Sequence, residues 1–176
     1  MKALQFYRNE IRCKPDNLTI DEIHAQWYGK DEILERKHGY IQWLFPSEGK
    51  SSFNPDAPLL QKGEVRAMAA DGGVLARILT STRMMFAFFG VQINAGEDSV
   101  SRGKNYQTAY ANIKANQHNL LRMTRIATFL SLFPGKFHEL ALSFLAHMMA
   151  ESDLHGLEIG NAVIHWMGVF SHKDSG

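Results

Sequence analysis

Apolar side chains recur every three or four positions along most of this chain, a spacing typical of helices that pack one face against a core. No segment shows the sustained alternation of apolar and polar residues that is expected of half-buried strands. The pattern predicts helices over residues 20–28, 31–37, 40–45, 62–70, 74–89, 105–114, 117–133, 137–149 and 157–170. We therefore expect an all-α fold of roughly seven to nine helices.

Local signals mark where several of these helices begin and end. Thr19 and Glu22 form a capping box, in which the side chain of each residue accepts a hydrogen bond from the backbone amide of the other. Pro46 ends the 40–45 helix, because the residue before a proline is pushed out of the helical region. Asp71-Gly72-Gly73 is expected to end the 62–70 helix, and Pro134-Gly135 the 117–133 helix.

The segments between helices carry no sign of a domain boundary. Residues 47–58 and 94–103 are polar and contain glycine or proline, so both are predicted to be loops. The chain has no internal repeat and no low-complexity linker. We expect residues 1–176 to form a single compact domain, since this length buries a sizeable core without disulfides or metals.

The segment from His38 to Pro46 has the most distinctive composition in the chain. It reads His-Gly-Tyr-Ile-Gln-Trp-Leu-Phe-Pro and combines large aromatic residues with an imidazole and an amide. Burying Tyr40 and Trp43 beside Gln42 requires a hydrogen-bond partner for each polar tip. The segment is therefore either the structural centre of the fold or the floor of a binding site.

Several blocks in the same order resemble the N-terminal domain of the opioid growth factor receptor family. They are Leu4–Ile11, Ile20–His24 with Trp27, Glu35–Pro46, Arg102–Tyr106 and Asn119–Ile126. One turn departs from the family pattern. The turn reads Asn54-Pro55-Asp56-Ala57-Pro58-Leu59, one residue shorter than the family's Asn-Trp-His-Ala-x-Pro-Leu and without its Trp-His pair. The chain also ends at Gly176, without the long acidic tail of the vertebrate receptor.

This resemblance implies an α-helical domain that is not an enzyme and uses no cofactor. Vertebrate members are described as receptors, located at the nucleus, for the opioid pentapeptide Met-enkephalin. This peptide carries an ammonium group, two aromatic side chains and a carboxylate. A pocket formed by His38, Tyr40, Gln42 and Trp43 would suit the aromatic rings. Arg122 or Arg125 would then bind the carboxylate, and the implied partner is a small peptide or another anionic ligand.

Composition indicates an intracellular protein. The chain has one cysteine, Cys13, which excludes an internal disulfide and fits a reducing compartment. Residues 1–15 lack the apolar core of a signal peptide, and the longest apolar run, Met84–Val91, is shorter than the ~20 residues that span a bilayer. We expect a cytoplasmic or nuclear location.

Charge is distributed unevenly although the net charge is only +1. Residues 10–35 contain seven acids, whereas residues 99–138 contain none. That acid-free segment carries the six cations Arg102, Lys104, Lys114, Arg122, Arg125 and Lys136. Either it docks on the acidic N-terminal part of the chain or it faces an anionic ligand.

Within the acid-free segment, His118, Arg122 and Arg125 share one face of the predicted 117–133 helix. They form either an anion clamp or structural pairs with acids such as Asp31 or Glu35. Asn119 could add a polar contact in both cases.

Arg102 and Tyr106 lie beside Lys104 and the start of a predicted helix, where anions bind readily. With Tyr110 nearby, the same residues could form a nucleic-acid surface, in which rings stack on bases and cations contact phosphates. Solvated loop charges are the simpler account of this group.

Candidates for metal binding and catalysis are weak. His147, Glu151 and His155 are four residues apart, but Asp153 and Gly156 predict that the helix ends before His155, which removes a shared metal-binding face. Cys13 lies beside Lys14, which could lower its pKa, but no base or orienting group accompanies it. We expect no metal site and no catalytic residue.

Overall fold

The computed structural model describes residues 1–49 and 53–171, and these residues confirm the all-α class. Within them the chain forms ten helices and one short antiparallel hairpin, so the helix count slightly exceeds the expected range. The chain divides into two compact units, residues 1–88 and 89–176, which are described separately below. The expectation of a single domain stays a prediction.

The described residues of the first unit form six helices. They are α1 (Lys2–Tyr7), α2 (Ile20–Trp27), α3 (Asp31–Arg36), α4 (Tyr40–Leu44), α5 (Glu64–Ala69) and α6 (Gly72–Phe88). The long helix α6 packs against α1, α2 and α5. Its buried apolar side chains recur at helical spacing, so it forms the central element around which the shorter helices collect.

The predicted capping box is present at the start of α2. The Thr19 hydroxyl accepts a hydrogen bond from the Glu22 amide, while the Glu22 carboxylate accepts one from the Thr19 amide. Helix α4 ends at Leu44, just before Pro46, as the sequence predicts. The loop prediction over 47–58 holds for its described part, and residues 50–52 lie outside the described residues.

Two features of the first unit were not predicted. Helix α1 is only six residues long, so no apolar period identifies it, and a buried carboxylate supports its first turn: Glu64 accepts from the amides of Leu4 and Gln61, each at 2.9 Å. Asp71 begins α6 instead of ending α5, because its carboxylate accepts from the amides of Gly73 and Val74. The glycines after Asp71 therefore lie in the first turn of a helix.

The second unit contains the hairpin and four helices. Strands β1 (Val91–Ile93) and β2 (Val100–Arg102) pair antiparallel, and they are followed by α7 (Tyr106–Ala115), α8 (His118–Ser131), α9 (Lys136–His155) and α10 (Ala162–Ser171). Part of the predicted loop at 94–103 is therefore strand β2. Each strand spans only three residues, too few for an alternating pattern to show in the sequence.

The boundaries of the last two helices also differ from the prediction. Helix α9 continues through Asp153 to His155 and ends at Gly156, whose φ of +63° is the left-handed conformation typical of a helix stop. Helix α10 begins at Ala162, five residues later than expected. The indole of Trp166 ties α10 to α8 by donating to the Thr124 hydroxyl at 2.8 Å. None of the helices among the described residues has the length and apolar character needed to cross a membrane.

Helix α2 carries a histidine whose protonation is unfavourable in the fold. His24 Nε2 lies 2.8 Å from the hydroxyl of the fully buried Ser81. Burial lowers the pKa of His24 from 6.5 to about 4, with the charge of Asp21 opposing the shift and that of Arg77 adding to it. The neutral ring is therefore the form that the folded first unit accommodates.

We predict that the first unit loses stability as pH falls from about 6.5 to about 4. In this range His24 is protonated in the unfolded chain but stays neutral in the folded one, so falling pH favours the unfolded state. Urea unfolding at pH 7.5 and 4.5 should show a loss about 2 kcal/mol larger for the wild type than for His24→Gln. His38→Gln, which changes an exposed histidine of the same unit, should behave like the wild type. Equal pH sensitivity in all three proteins would contradict the assignment.

Candidate functional site

Most of the His38–Pro46 motif lies in the interior of the first unit. Tyr40 and Trp43 are each 1% exposed, and Gln42 is buried as well, whereas His38 is exposed. The Tyr40 hydroxyl donates to the Leu34 carbonyl at 2.9 Å. The carbonyls of His38 and Gly39 lie beside the Gln42 side chain. When the Gln42 amide is oriented with its nitrogen toward them, it donates to both at 3.1 Å. The polar tips that required partners have them inside the unit.

The carbonyl of Lys14 is the acceptor that connects this motif to two other segments. It accepts from the Trp43 indole at 3.1 Å and from the Asn54 amide at 3.0 Å. The same Asn54 nitrogen donates to the Gly39 carbonyl at 3.0 Å. The motif is thus a structural centre of the first unit, and a ligand role for His38, Tyr40, Gln42 and Trp43 stays a prediction.

The polar stripe of α8 lies on one helical face, as predicted, and much of it is buried. Asn119 and Arg122 are buried, while His118 and Arg125 are half-buried. Arg122 donates to the Asn119 side-chain oxygen at 3.3 Å, and burial lowers the pKa of Arg125. The interpretations as an anion clamp and as structural pairing both stay predictions.

Arg102, the first cation of the acid-free segment, is bound to a buried carboxylate. Its Nε and Nη2 atoms donate to the two oxygens of Glu151, each at 2.8 Å. The Tyr110 hydroxyl donates to Glu151 as well, also at 2.8 Å. The hydrogen bonds from Arg102 lower the pKa of Glu151 to about 2 against the effect of burial, so this carboxylate is ionised at neutral pH.

Three rings gather around this ion pair. Tyr106, Tyr110 and His155 contact one another edge to face, with ring centres 5.5 to 5.6 Å apart. The Arg102 guanidinium lies over the Tyr106 ring, 4.8 Å from its centre. Burial and the hydrogen bond to Glu151 raise the pKa of Tyr110, so its hydroxyl stays protonated and acts as a donor.

These rings border an open cavity of about 270 Å³ in the second unit, lined by Tyr106, Gln107, Tyr110, Ala111, Lys114 and His155. Helix α7 supplies five of the six lining residues, and the end of α9 supplies His155. The ion pair between Arg102 and Glu151 contacts two of these rings, because the Tyr110 hydroxyl donates to Glu151 and the Arg102 guanidinium lies over Tyr106. Aromatic walls with a few polar groups are typical of small-ligand sites.

The cavity and the ion pair beside it bring together two predicted residues, Tyr106 in the lining and Arg102 next to it, with others that the prediction left out. Tyr106, Tyr110 and Lys114 are spaced four apart, so a shared helical face was visible in the sequence. His155 was set aside because α9 was expected to end earlier. Glu151 gives no local signal as the partner of Arg102, since 49 residues separate the two.

The remaining chemical candidates do not form a reactive site. No group of three or more histidine, cysteine, aspartate or glutamate residues in the described part of the chain is arranged to hold a metal ion. Cys13 is buried, and burial raises the pKa of its thiol, which corrects the expectation that its basic neighbour lowers it. The thiol is therefore a poor nucleophile at neutral pH.

Comparison with known proteins gives a match along nearly the whole chain. The family model described as the opioid growth factor receptor conserved region matches residues 1–174. Similar proteins include opioid growth factor receptor-like protein 1 of Xenopus tropicalis, 38% identical over 123 residues, and opioid growth factor receptor of Homo sapiens, 36% identical over 124 residues. Each alignment covers 70% of this chain but only 24% and 18% of the respective relative. No solved structure matches.

We predict that Gly39→Ala destabilises the first unit by about 1–3 kcal/mol. A Cβ at this position would lie 2.9 Å from the Asn54 amide nitrogen, which two hydrogen bonds hold in place, and 3.2 Å from Pro15 Cδ. Chemical unfolding measures the loss. Gly49→Ala is the control, because its Cβ would meet nothing within 4 Å. The double variant with Asn54→Ala should lose less than the sum of the two single losses, and strict additivity would contradict the proposed clash.

We predict that Glu151→Gln destabilises the second unit by about 1–3 kcal/mol, because an amide cannot accept both hydrogen bonds from Arg102 and its NH₂ group would face the guanidinium. Chemical unfolding at pH 7 gives the comparison with Glu139→Gln, an exposed acid on the same helix. That control should change stability by less than about 0.5 kcal/mol. Equal effects of the two substitutions would show that the ion pair contributes nothing.

Proposed function

This chain belongs to the opioid growth factor receptor family, and from that premise we propose that it is a non-enzymatic domain that binds a short opioid-type peptide. The cavity lined by Tyr106, Tyr110 and His155 is the proposed site. The observation that carries this proposal is the set of three rings held around one opening by the Arg102–Glu151 ion pair. The relatives named as receptors add support, although they are several times longer than this chain.

The size of the cavity limits what it holds. Pockets for drug-sized ligands range from about 300 to 1,000 Å³, and this one has about 270 Å³. It therefore accommodates one large side chain and its neighbouring backbone, while the rest of a pentapeptide lies on the surface. An aromatic side chain is the best match, since it can pack against the ring edges and faces of Tyr106 and Tyr110.

The absence of an enzymatic role is part of the same proposal. Ser81 and His24 lie at the distance of a nucleophile and its base, 2.8 Å, which makes them the pair to consider first. Ser81 is 0% exposed, however, so its hydroxyl cannot reach a substrate. The low pKa of His24 reflects its burial and needs no catalytic explanation.

Isothermal titration calorimetry with Met-enkephalin tests the proposal. We predict binding by the wild type, and at least about tenfold weaker binding by Tyr106→Ala, because an aromatic anchor is lost. Ala111→Leu should weaken binding similarly by filling the cavity from an exposed helical position. Ala115→Leu is the matched control on the same helix, because Ala115 is exposed and does not line the cavity. Unchanged affinity in both cavity variants would rule out this site.

A second candidate is a phosphate or nucleic-acid binding module. Arg102 and Lys114 are exposed near the same rings, and Lys104 is an exposed cation two residues before Tyr106 in the chain. Such an arrangement allows bases to stack on aromatic rings while cations contact phosphates. Repeating the titrations with a single-stranded oligonucleotide at 50 and 200 mM salt distinguishes the two. Binding that weakens steeply with salt favours phosphate contacts, whereas binding through a ring depends on salt only weakly.

A further inference from the structure

The charges around the cavity point to one chemical group of its ligand. Among the described residues that line the cavity, Lys114 alone has a permanent charge. Lys114 is exposed, and no described carboxylate forms an ion pair with its ammonium group. A cation in this position attracts an anionic ligand group and repels an ammonium group.

The Glu151 carboxylate, which is hydrogen-bonded to Tyr110, does not offset this preference for an anionic ligand group. Both oxygens of Glu151 accept hydrogen bonds from Arg102, and one of them also accepts from the Tyr110 hydroxyl. One face of Tyr106, which could otherwise hold an ammonium group, is covered by the Arg102 guanidinium. Among the described residues that line the cavity, a positively charged peptide terminus therefore finds no carboxylate, and one face of Tyr106 already carries a cation.

We infer that the cavity binds the carboxyl end of the peptide, with the terminal side chain against the rings and the terminal carboxylate on the Lys114 ammonium group. This inference rests on the proposed function and adds the direction in which the peptide lies. It selects ligands with a free carboxylate next to a large apolar or aromatic side chain. The amino end of the peptide points away from the cavity.

The spacing along α7 permits both contacts by one ligand residue. Tyr110 and Lys114 are four residues apart on one helical face, which corresponds to about 6 Å along the helix axis. The flexible side chain of Lys114 can bring its ammonium group closer to Tyr110 than this axial distance. Lys114 also lies in the last turn of α7, where a cation complements the helix dipole, so the test must separate this structural role from ligand binding.

The inferred direction is tested with three forms of Met-enkephalin: the free acid, the C-terminal amide and the N-acetylated acid. Calorimetry with the wild type should show about fivefold weaker binding of the amide, the range expected for loss of one partly exposed ion pair. N-acetylation should change the affinity less than about twofold, because none of the described lining residues is a carboxylate that would bind the ammonium group.

Two lysine variants locate the effect. Lys114→Ala should bind acid and amide equally, while Lys104→Ala, which removes the same charge outside the cavity lining, should keep the preference for the acid. Thermal unfolding checks that both variants stay folded. If wild-type binding depends on Tyr106 but acid and amide bind equally, or if N-acetylation abolishes binding, the inferred direction is wrong and the proposed function stands. If no form binds, the proposed function fails and the inference with it.

Discussion

A polar side chain that is buried needs a hydrogen-bond partner. In each unit, one acceptor group provides that partner for two side chains from distant parts of the chain. In the first unit it is the Lys14 carbonyl, which accepts from Trp43 and Asn54. In the second unit it is the Glu151 carboxylate, which accepts from Arg102 and Tyr110. Because a lost partner leaves a desolvated group behind, these contacts fix which segments meet more strictly than apolar packing does.

The sequence predicted those features that depend on neighbouring residues. Capping by Thr19 and the end of α4 before Pro46 are local, and both are present. Helix α1 and the hairpin were missed because they are short and are held by contacts from elsewhere, such as the Glu64 carboxylate at the start of α1. The end of α9 was misplaced because packing of the helix outweighs the weak helix propensity of Asp153.

The same distinction explains why the candidate site was only half predicted. The composition of the His38–Pro46 motif left two interpretations open; the burial of Tyr40 and Trp43 makes them part of the core, while their predicted ligand role stays a prediction. The shortened turn after the motif keeps Asn54, the residue that joins the motif to Lys14, so its altered length does not remove that contact. The partner of Arg102, by contrast, lies 49 residues away, and no periodicity in the sequence could indicate it.

A segment that resembles a family most strongly need not be the segment that binds its ligand. The polar tips of Tyr40 and Trp43 in this motif form hydrogen bonds to backbone carbonyls inside the first unit. Around the cavity of the second unit, Arg102 and Glu151 neutralise each other, while Lys114 and the ring edges remain accessible. Rings that are held in place before binding lose little conformational entropy when a ligand arrives, so even a small cavity can contribute useful affinity. In the proposed binding mode, selectivity then depends on the positive charge of Lys114 in the cavity lining.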